Sequence, residues 1–295
     1  MTSAGALGIV TRKKSVGERI VGALGSTIVN IVLAIVAIFW LVPSVGLFLT
    51  SLRTAGDNAE SGWWTIFTKP AEITIQNYAN LLQNPDITGS IWNTIVISVP
   101  TTILVVLIGS LAGYAFAWMQ FPGRDWLLIV VIVLLAVPIQ VAIIPLAQLF
   151  GFLGIFGNVI GVILFHTAFG LPFAIFLLRN FFTEVPGELI EAARIDGAGE
   201  WRIFFRVMLP LAMPAVASLA IFQFLWTWND MLVALIFTNS ESMPLTVAIQ
   251  SQLRQFGSNI DVLSAGAFLS MIVPLIVFFA FQRYFVLARR AGSQK

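Results

Sequence analysis

The sequence predicts an all-α integral membrane protein with six transmembrane helices and a helix-turn-helix segment in one cytoplasmic loop. Three observations support this fold class: 58% of the 295 residues are hydrophobic, only 10% are charged, and the charged residues bound long apolar stretches. An ordinary soluble domain carries about 25% charged residues. Too few charges therefore remain to cover a water-facing surface, and the mean hydropathy of +0.93 agrees.

Uncharged stretches place the helices, because a transmembrane helix needs about 20 mostly apolar residues. Such stretches predict helices near Ile28–Leu52 and Ile91–Met119, and mostly apolar stretches predict two more near Pro214–Phe237 and Leu263–Leu287. A fifth stretch, Trp126–Leu178, is too long for one crossing. Glycine and asparagine favour turns, so Gly151–Asn158 is expected to divide it into the third and fourth helices. Pro138 and Pro145 are expected to kink the third.

The basic residues predict the orientation, because lysine and arginine are retained on the cytoplasmic side. With both termini inside, 13 of the 16 basic residues fall in cytoplasmic segments, and only Arg53, Lys69 and Arg254 fall outside. The predicted organisation is a cytoplasmic segment 1–27, a transmembrane domain 28–287 and a cytoplasmic tail 288–295. The longest cytoplasmic loop covers residues 180–209.

That loop carries signals for two short helices. Pro186 suits the first turn of a helix, and Glu188 and Glu191 complement its positive end. Gly197 supplies a stop, after which Trp201–Met208 is expected to form a second helix that returns to the membrane. The three-and-four spacing places Leu189, Ala192 and Ala193 on one face of the first helix, where small alanines leave a shallow surface for another protein.

The loop resembles the cytoplasmic coupling loop of ABC-importer permeases, whose pattern is Glu-Ala-Ala, then a glycine, then Leu-Pro. The matching residues are Glu191, Ala192, Ala193, Asp196, Gly197, Leu209 and Pro210. Phe205 and Pro214 extend the match toward the carbohydrate-uptake branch, with similarity to the smaller permease of the maltose transporter. Asn93-Thr94 and Trp228-Asn229-Asp230 agree with that branch. The alternative is an amphipathic connector that carries Glu-Ala-Ala by chance.

The resemblance implies a permease subunit of an ATP-driven importer in the bacterial or archaeal cytoplasmic membrane, rather than an enzyme. The implied partners are a second, homologous permease, two ATPase subunits or domains, an extracytoplasmic solute-binding protein and membrane lipid, without nucleic acid. The implied solute is a small molecule, a sugar or oligosaccharide. Two alternatives stay open: an importer permease for a polyol phosphate, amino acid or peptide, and a secondary transporter.

Residue types needed for catalysis or metal binding are scarce. The chain has no cysteine and one histidine, His166, which excludes thiolate metal sites, cysteine nucleophiles and multi-histidine clusters. A phosphate-binding loop requires glycine before its Lys-Ser/Thr pair, whereas Lys13 precedes Lys14-Ser15. We therefore expect no catalytic residue, metal or cofactor in this chain, with ATP and Mg²⁺ bound by the partner ATPase.

Polar residues at membrane depth are candidates for the solute path, because each is costly unless paired or facing water. The candidates are Gln223, Trp226, Trp228, Asn229 and Asp230. Aromatic faces can stack on sugar rings, while amides and carboxylates bond hydroxyl groups. Helical geometry places Trp226, Asn229 and Asp230 on one face with Gln223 one turn earlier, and turns Trp228 away toward lipid.

A structural interpretation of the same residues stays open. Asp230 could pair with a backbone amide or a neighbouring helix, and the tryptophans could belong to the outer aromatic belt. His166 has no acid near it in the sequence, so we expect a hydrogen-bonded packing role rather than proton transfer.

Overall fold

The computed structural model describes residues 16–256 and 260–292, with side chains described for 27–252 and 260–281. Within these ranges the chain is helical apart from turns and one isolated bridge between Gly157 and Thr238. Residues 1–15 of the predicted N-terminal segment and residues 293–295 of the predicted tail lie outside the described residues. The final helix runs to Gly292, past the predicted start of the tail.

The helices follow one another through the described chain, and two short 3₁₀ helices, Trp63–Phe67 and Pro70–Glu72, lie between α2 and α3. Their bounds are α1 Val16–Ser51, α2 Ala55–Glu60, α3 Gln76–Gln83, α4 Pro85–Trp118, α5 Arg124–Leu134, α6 Ile139–Phe152, α7 Val159–Thr183, α8 Gly187–Ile195, α9 Glu200–Ile203, α10 Leu209–Trp228, α11 Leu232–Phe237, α12 Leu245–Phe256 and α13 Ile260–Gly292.

Five helices of the described chain are long and apolar enough to cross a membrane. They are Thr27–Ser51 within α1, α4, α7, the continuous helix Glu200–Trp228 and Ile260–Phe281 within α13. Taken together, α5 and α6 are also long and apolar enough to cross a membrane, although their axes are bent by 103° at the break between them. The prediction of an all-α protein with six spans is confirmed when this bent pair counts as one span.

The third span is broken rather than kinked. Helix α5 ends at Leu134 and α6 begins at Ile139, with Pro138 directly before it. Proline has no N–H to continue a helix, and it disfavours helical geometry at the residue before it. Pro145, by contrast, lies inside α6 without ending it.

The predicted fifth span, Pro214–Phe237, is wrong at both ends. The helix already begins at Glu200, passes through a π-helical turn at Phe204–Met208 and ends at Trp228. Pro210 has no N–H to donate to the carbonyl of Arg206, so the α-helical hydrogen-bond pattern is interrupted here. The N–H of Leu209 donates to the carbonyl of Phe204, five residues earlier, which is the π-helical pattern. The second helix of the predicted helix-turn-helix is therefore the start of a membrane helix.

The centre of the molecule is the contact between α4 and α7, which glycines make close. A Cβ added at Gly109 would lie 2.7 Å from the Cβ of Ala174. One turn later, a Cβ at Gly113 would lie 3.1 Å from the Cβ of Leu178. Small residues spaced by four are typical of helix pairs whose backbones approach closely in membranes.

The segment after α1 is organised around Arg53, whose side chain is fully buried. Its Nη2 lies 2.8 Å from Glu72 Oε2. The same guanidinium donates to the carbonyls of Ser61 at 2.9 Å and Asp57 at 2.8 Å. Burying a cation is tolerated here because the charge is paired and its donors are used.

Candidate coupling and solute-path sites

The Glu-Ala-Ala segment forms α8, which ends in a tight glycine turn. The N–H of Gly197 donates to the Arg194 carbonyl at 3.0 Å, and the N–H of Ala198 donates to the Ala193 carbonyl at 3.0 Å. Gly197 has φ of +78°, a left-handed conformation that glycine adopts without strain. The predicted stop after α8 is therefore confirmed, together with its cause.

Helix α8 has one buried and one exposed side. Ile190 is fully buried in a core formed with residues of α4, α7 and α10. Glu191 and Ala192 are exposed, and Leu189 is 46% exposed. The predicted common face of Leu189, Ala192 and Ala193 is only partly correct, because Ala193 packs against the core.

The remaining residues of the loop motif divide between surface and core. Asp196 is exposed at the end of α8, and Pro210 is exposed in the first turn of α10. Leu209 packs on the same core as Ile190. The Glu-Ala-Ala part of the motif is thus presented by α8, while its Leu-Pro part belongs to the membrane helix α10.

Polar contacts that the loop motif does not predict tie α8 to α4. Tyr114 donates its hydroxyl to Glu200 Oε2 at 2.5 Å, and Arg194 donates to Glu200 Oε1 at 3.0 Å and to the Trp118 carbonyl at 3.3 Å. The indole N–H of Trp118 donates to the Phe182 carbonyl at 3.0 Å. No local signal could have revealed the Tyr114–Glu200 pair, because 86 positions separate its members.

A cavity of about 470 Å³ opens between the α5–α6 break, α7 and α10. Its lining is mainly apolar and aromatic and includes Phe169 and Phe173 of α7. Two predicted path residues, Gln223 and Trp226, line it. The volume falls in the range of small-molecule sites, about 300–1,000 Å³.

Gln223 is the polar group that α10 holds at this cavity. Its Nε2 donates to Thr227 Oγ1 at 3.1 Å. A Cβ at Gly170 would lie 2.5 Å from Gln223 Oε1, so the glycine in α7 gives the side-chain amide its room. The combination of an indole and an oriented amide can contact a solute by stacking and by hydrogen bonds.

Asp230 is bound by its own chain. Its Oδ1 accepts the N–H of Val233 at 3.3 Å and its Oδ2 that of Ala234 at 3.0 Å, which caps α11. The Thr246 hydroxyl donates to the Asp230 carbonyl at 2.6 Å. A side-chain acceptor that captures nearby amides offers the backbone an alternative to a continued helix, which explains the break after Trp228.

His166 of α7 meets Asp230, although 64 positions separate them in the sequence. Its Nε2 lies 3.3 Å from Asp230 Oδ2, within ion-pair distance. The angles do not make a hydrogen bond, and neither ring nitrogen has a hydrogen-bond partner among the described residues. The His166 ring also packs edge-on against Trp226, with centroids 4.9 Å apart. His166 therefore packs against Trp226 as expected, and its polar neighbour is the Asp230 carboxylate at ion-pair distance.

Trp228 and Asn229 lie apart from the cavity-lining pair. Trp228 is 1% exposed, and its indole N–H donates to the Ser270 carbonyl at 3.0 Å, so the prediction that it meets lipid is wrong. Asn229 lines a separate depression against α13 with Met271 and Pro274. The helix ends between them, so the regular 100° rotation per residue no longer predicts where Asn229 points.

Comparison with known proteins identifies the family. Residues 105–291 match the family described as "Binding-protein-dependent transport system inner membrane component". The chain is 46% identical over 272 residues to the osmoprotective compounds uptake permease protein GgtD of Synechocystis sp., covering 90% of this chain and 91% of that one. It is also 46% identical over 250 residues to the alpha-glucoside transport system permease protein AglG of Rhizobium meliloti, covering 82% of this chain and 66% of that one.

The fold is shared with a solved structure of a bacterial ABC transporter involved in the import of the acidic polysaccharide alginate. The TM-score is 0.76 at 24% identity, covering 93% of this chain and 100% of that one. Together with the family match, the helical membrane architecture shows that the chain belongs to the inner membrane components of binding-protein-dependent transport systems, the permease subunits of ATP-driven ABC importers.

Proposed function

We propose that this chain forms half of the translocation path of a sugar or oligosaccharide importer, and that α8 docks with a separate ATPase. The observation that carries this proposal is the exposed side of α8, with Glu191 and Ala192, held on a buried core by Ile190. An exposed helix on a fixed base suits a rigid contact with a partner. Family membership implies a partner ATPase, where we place ATP and Mg²⁺.

The other proposed partners are a second, homologous permease, which completes the path, two copies of the ATPase subunit or domain, and an extracytoplasmic binding protein that delivers the solute. In the proposed topology, both termini and α8 face the cytoplasm. Thirteen of the 16 basic residues then lie on the cytoplasmic side, which supports this orientation.

Two observations support a carbohydrate as the solute. AglG is named for alpha-glucoside transport, and AraQ of Halalkalibacterium halodurans, 34% identical over 275 residues, is named for arabinooligosaccharides. The cavity also offers the Trp226 ring and the Gln223 amide. A second candidate is an osmoprotective compound, the class that the name of GgtD gives.

The experiment is uptake by the complete complex, reconstituted in lipid vesicles with its partner permease, ATPase and binding protein. Labelled disaccharide, amino acid and polyol phosphate are supplied with and without ATP. We expect ATP-dependent uptake of the disaccharide. Uptake that does not need ATP would overturn the importer assignment, and ATP-dependent uptake restricted to another solute would overturn the sugar assignment.

A variant at Gly197 tests the role of α8 in the same vesicles. A side chain in the left-handed region costs about 1–2 kcal/mol, so Gly197→Val should distort the end of α8 and reduce uptake per assembled complex. Gly197→Asn should retain more activity, because asparagine tolerates this conformation. Gly199→Ala is the control, since its φ is −73° and nothing lies within 4 Å of an added Cβ. Normal uptake in Gly197→Val would contradict the docking role.

A further inference from the structure

We infer that the carboxylate of Glu200 is the junction through which a displacement of α8 reaches α4. Glu200, Tyr114 and Arg194, here called the Glu200 hub, would then be positioning residues that couple ATP hydrolysis to transport. This inference rests on the proposed docking function of α8. It adds to the loop motif three residues that the motif does not include and one helix, α4, that lies far from it in the sequence.

The hub begins with a carboxylate whose two oxygens serve different helices. Oε2 accepts the hydroxyl of Tyr114, which lies in α4, at 2.5 Å. Oε1 accepts Nε of Arg194, which lies in α8, at 3.0 Å, and Nη2 of the same guanidinium lies at 3.0 Å. Hydrogen bonds to an ionised group are shorter and stronger than neutral ones. One side chain therefore joins two helices with charge-assisted bonds.

The hub bridges the glycine turn that joins α8 to α9. The turn between α8 and α9 contains Gly197 and Gly199, and a Cβ at either would meet nothing within 4 Å. Arg194 stands before this turn and Glu200 after it. Their ion pair therefore spans the two glycines and links α8 to the helix that continues into the membrane.

Further contacts extend the hub to α7. Arg194 also donates to the carbonyl of Trp118, the last residue of α4, at 3.3 Å. The Trp118 indole donates to the Phe182 carbonyl near the end of α7 at 3.0 Å. A movement of α8 therefore meets polar connections to α4 and, through Trp118, to α7.

Burial indicates which bond is the rigid one. The Arg194 and Glu200 side chains are 41% and 38% exposed, and an ion pair open to water contributes little by itself. Tyr114 is 4% exposed and packs edge-on against Phe204, with centroids 5.4 Å apart. A buried phenol needs an acceptor, so the bond from Tyr114 to Glu200 anchors the hub to the core.

The test measures solute transported per ATP hydrolysed by the reconstituted complex, normalised to assembled complex. We expect Tyr114→Phe and Glu200→Gln to lower this ratio about 2- to 30-fold, the range for residues that carry coupling between sites. ATP hydrolysis should continue. Tyr78→Phe is the matched control, because it removes a hydroxyl bonded to Ser51 at 2.6 Å in the other long loop.

The double variant Tyr114→Phe/Glu200→Gln separates coupling from general damage. Tyr114→Phe removes the donor of the bond and Glu200→Gln removes the charge of its acceptor, so the double variant should lower the ratio by less than the product of the two single effects. Multiplying effects would overturn the hub. So would a loss of assembled complex in which transport and hydrolysis fall together and the ratio stays at the wild-type value.

The outcome for the wild-type complex distinguishes the hub from the proposed function. A wild-type complex without ATP-dependent uptake would overturn the proposed function, and the hub with it. A wild-type complex that couples normally, beside hub variants with the wild-type ratio, would overturn the hub alone.

Discussion

At the residue scale, Asp230 is an acidic side chain at the break between α10 and α11, and backbone amides of the same chain satisfy its carboxylate. An aspartate at the centre of a bilayer costs about 2.5–3.5 kcal/mol by insertion measurements. In this chain two amides of α11 donate to its carboxylate, and His166 lies 3.3 Å away. These contacts offset the cost without a solute. They favour a structural role for Asp230, behind Trp226 rather than in the cavity.

A pair of substitutions at Asp230 tests this role. Asp230→Ala removes the cap of α11, which is worth about 1 kcal/mol, and should lower the thermal midpoint of the purified complex. Asp230→Asn keeps a side-chain oxygen for the cap and should lower the midpoint less. For both variants we expect the uptake KM per assembled complex to stay at the wild-type value.

The neighbouring Asn229→Ala is the control for these measurements, because Asn229 is exposed and its side-chain amide donates to the Leu225 carbonyl one turn earlier, at 2.7 Å. A raised KM with an unchanged thermal midpoint in Asp230→Asn would contradict the structural role and indicate that the carboxylate contacts the solute.

At the scale of elements, two glycines of α4 predict opposite effects of the same substitution. A Cβ at Gly109 would lie 2.7 Å from the Cβ of Ala174, so Gly109→Ala must separate α4 from α7, and overpacking costs about 1–3 kcal/mol. Nothing lies within 4 Å of a Cβ at Gly89, and alanine is favoured over glycine in a helix by about 1 kcal/mol.

We therefore expect Gly109→Ala to lower the thermal midpoint of the purified protein and Gly89→Ala to leave it unchanged or raise it. The two variants share the helix, the chemistry and the assay, which leaves the contact with α7 as the difference. Equal midpoints for the two variants would contradict the close packing.

Element existence was predictable from the sequence, whereas the breaks within elements were not. Mostly apolar stretches revealed α1, α4, α7 and α13, because lipid requires about 20 apolar residues wherever a helix crosses. The π-helical turn before Pro210 and the break at Asn229 arise from competition among specific hydrogen bonds. Hydropathy does not report that competition, so the fifth span was predicted with both ends wrong.

The candidate sites divide in the same way. The motif around Glu191 and Gly197 was predictable, because its spacing is local and its glycine has a local conformational reason. The Tyr114–Glu200 and His166–Asp230 contacts join residues far apart in the sequence. Only the packing of α4 and α7 against the other helices brings these pairs together.

At the scale of the whole molecule, the described surface is unevenly covered. Large apolar side chains of α1 are widely exposed, with Phe39 and Trp40 each at 75%. Helix α1 packs against α13, where the ring centroids of Phe48 and Phe268 are 4.7 Å apart. Lipid, or another subunit within lipid, is the environment in which such a surface is stable, as expected for a membrane permease.

Orientation is the whole-molecule property that the basic residues predict, and single cysteines can test it because the chain has none of its own. Glu60→Cys lies in the predicted outer segment, is exposed and avoids the Ser61 contact to Arg53. Gly199→Cys lies in the α8–α9 turn, where nothing lies within 4 Å of an added Cβ.

Carrying basic residues across the bilayer is costly, about 2.5–3.5 kcal/mol for each at the membrane centre, so the 180–209 loop should stay in the cytoplasm. An impermeant thiol reagent applied to intact cells should therefore label Glu60→Cys and leave Gly199→Cys unlabelled until the cells are permeabilised. Labelling after denaturation gives the total for each variant, which separates a protected thiol from a poorly expressed one. Labelling of Gly199→Cys alone in intact cells would show that the topology is inverted and that α8 cannot reach a cytoplasmic ATPase.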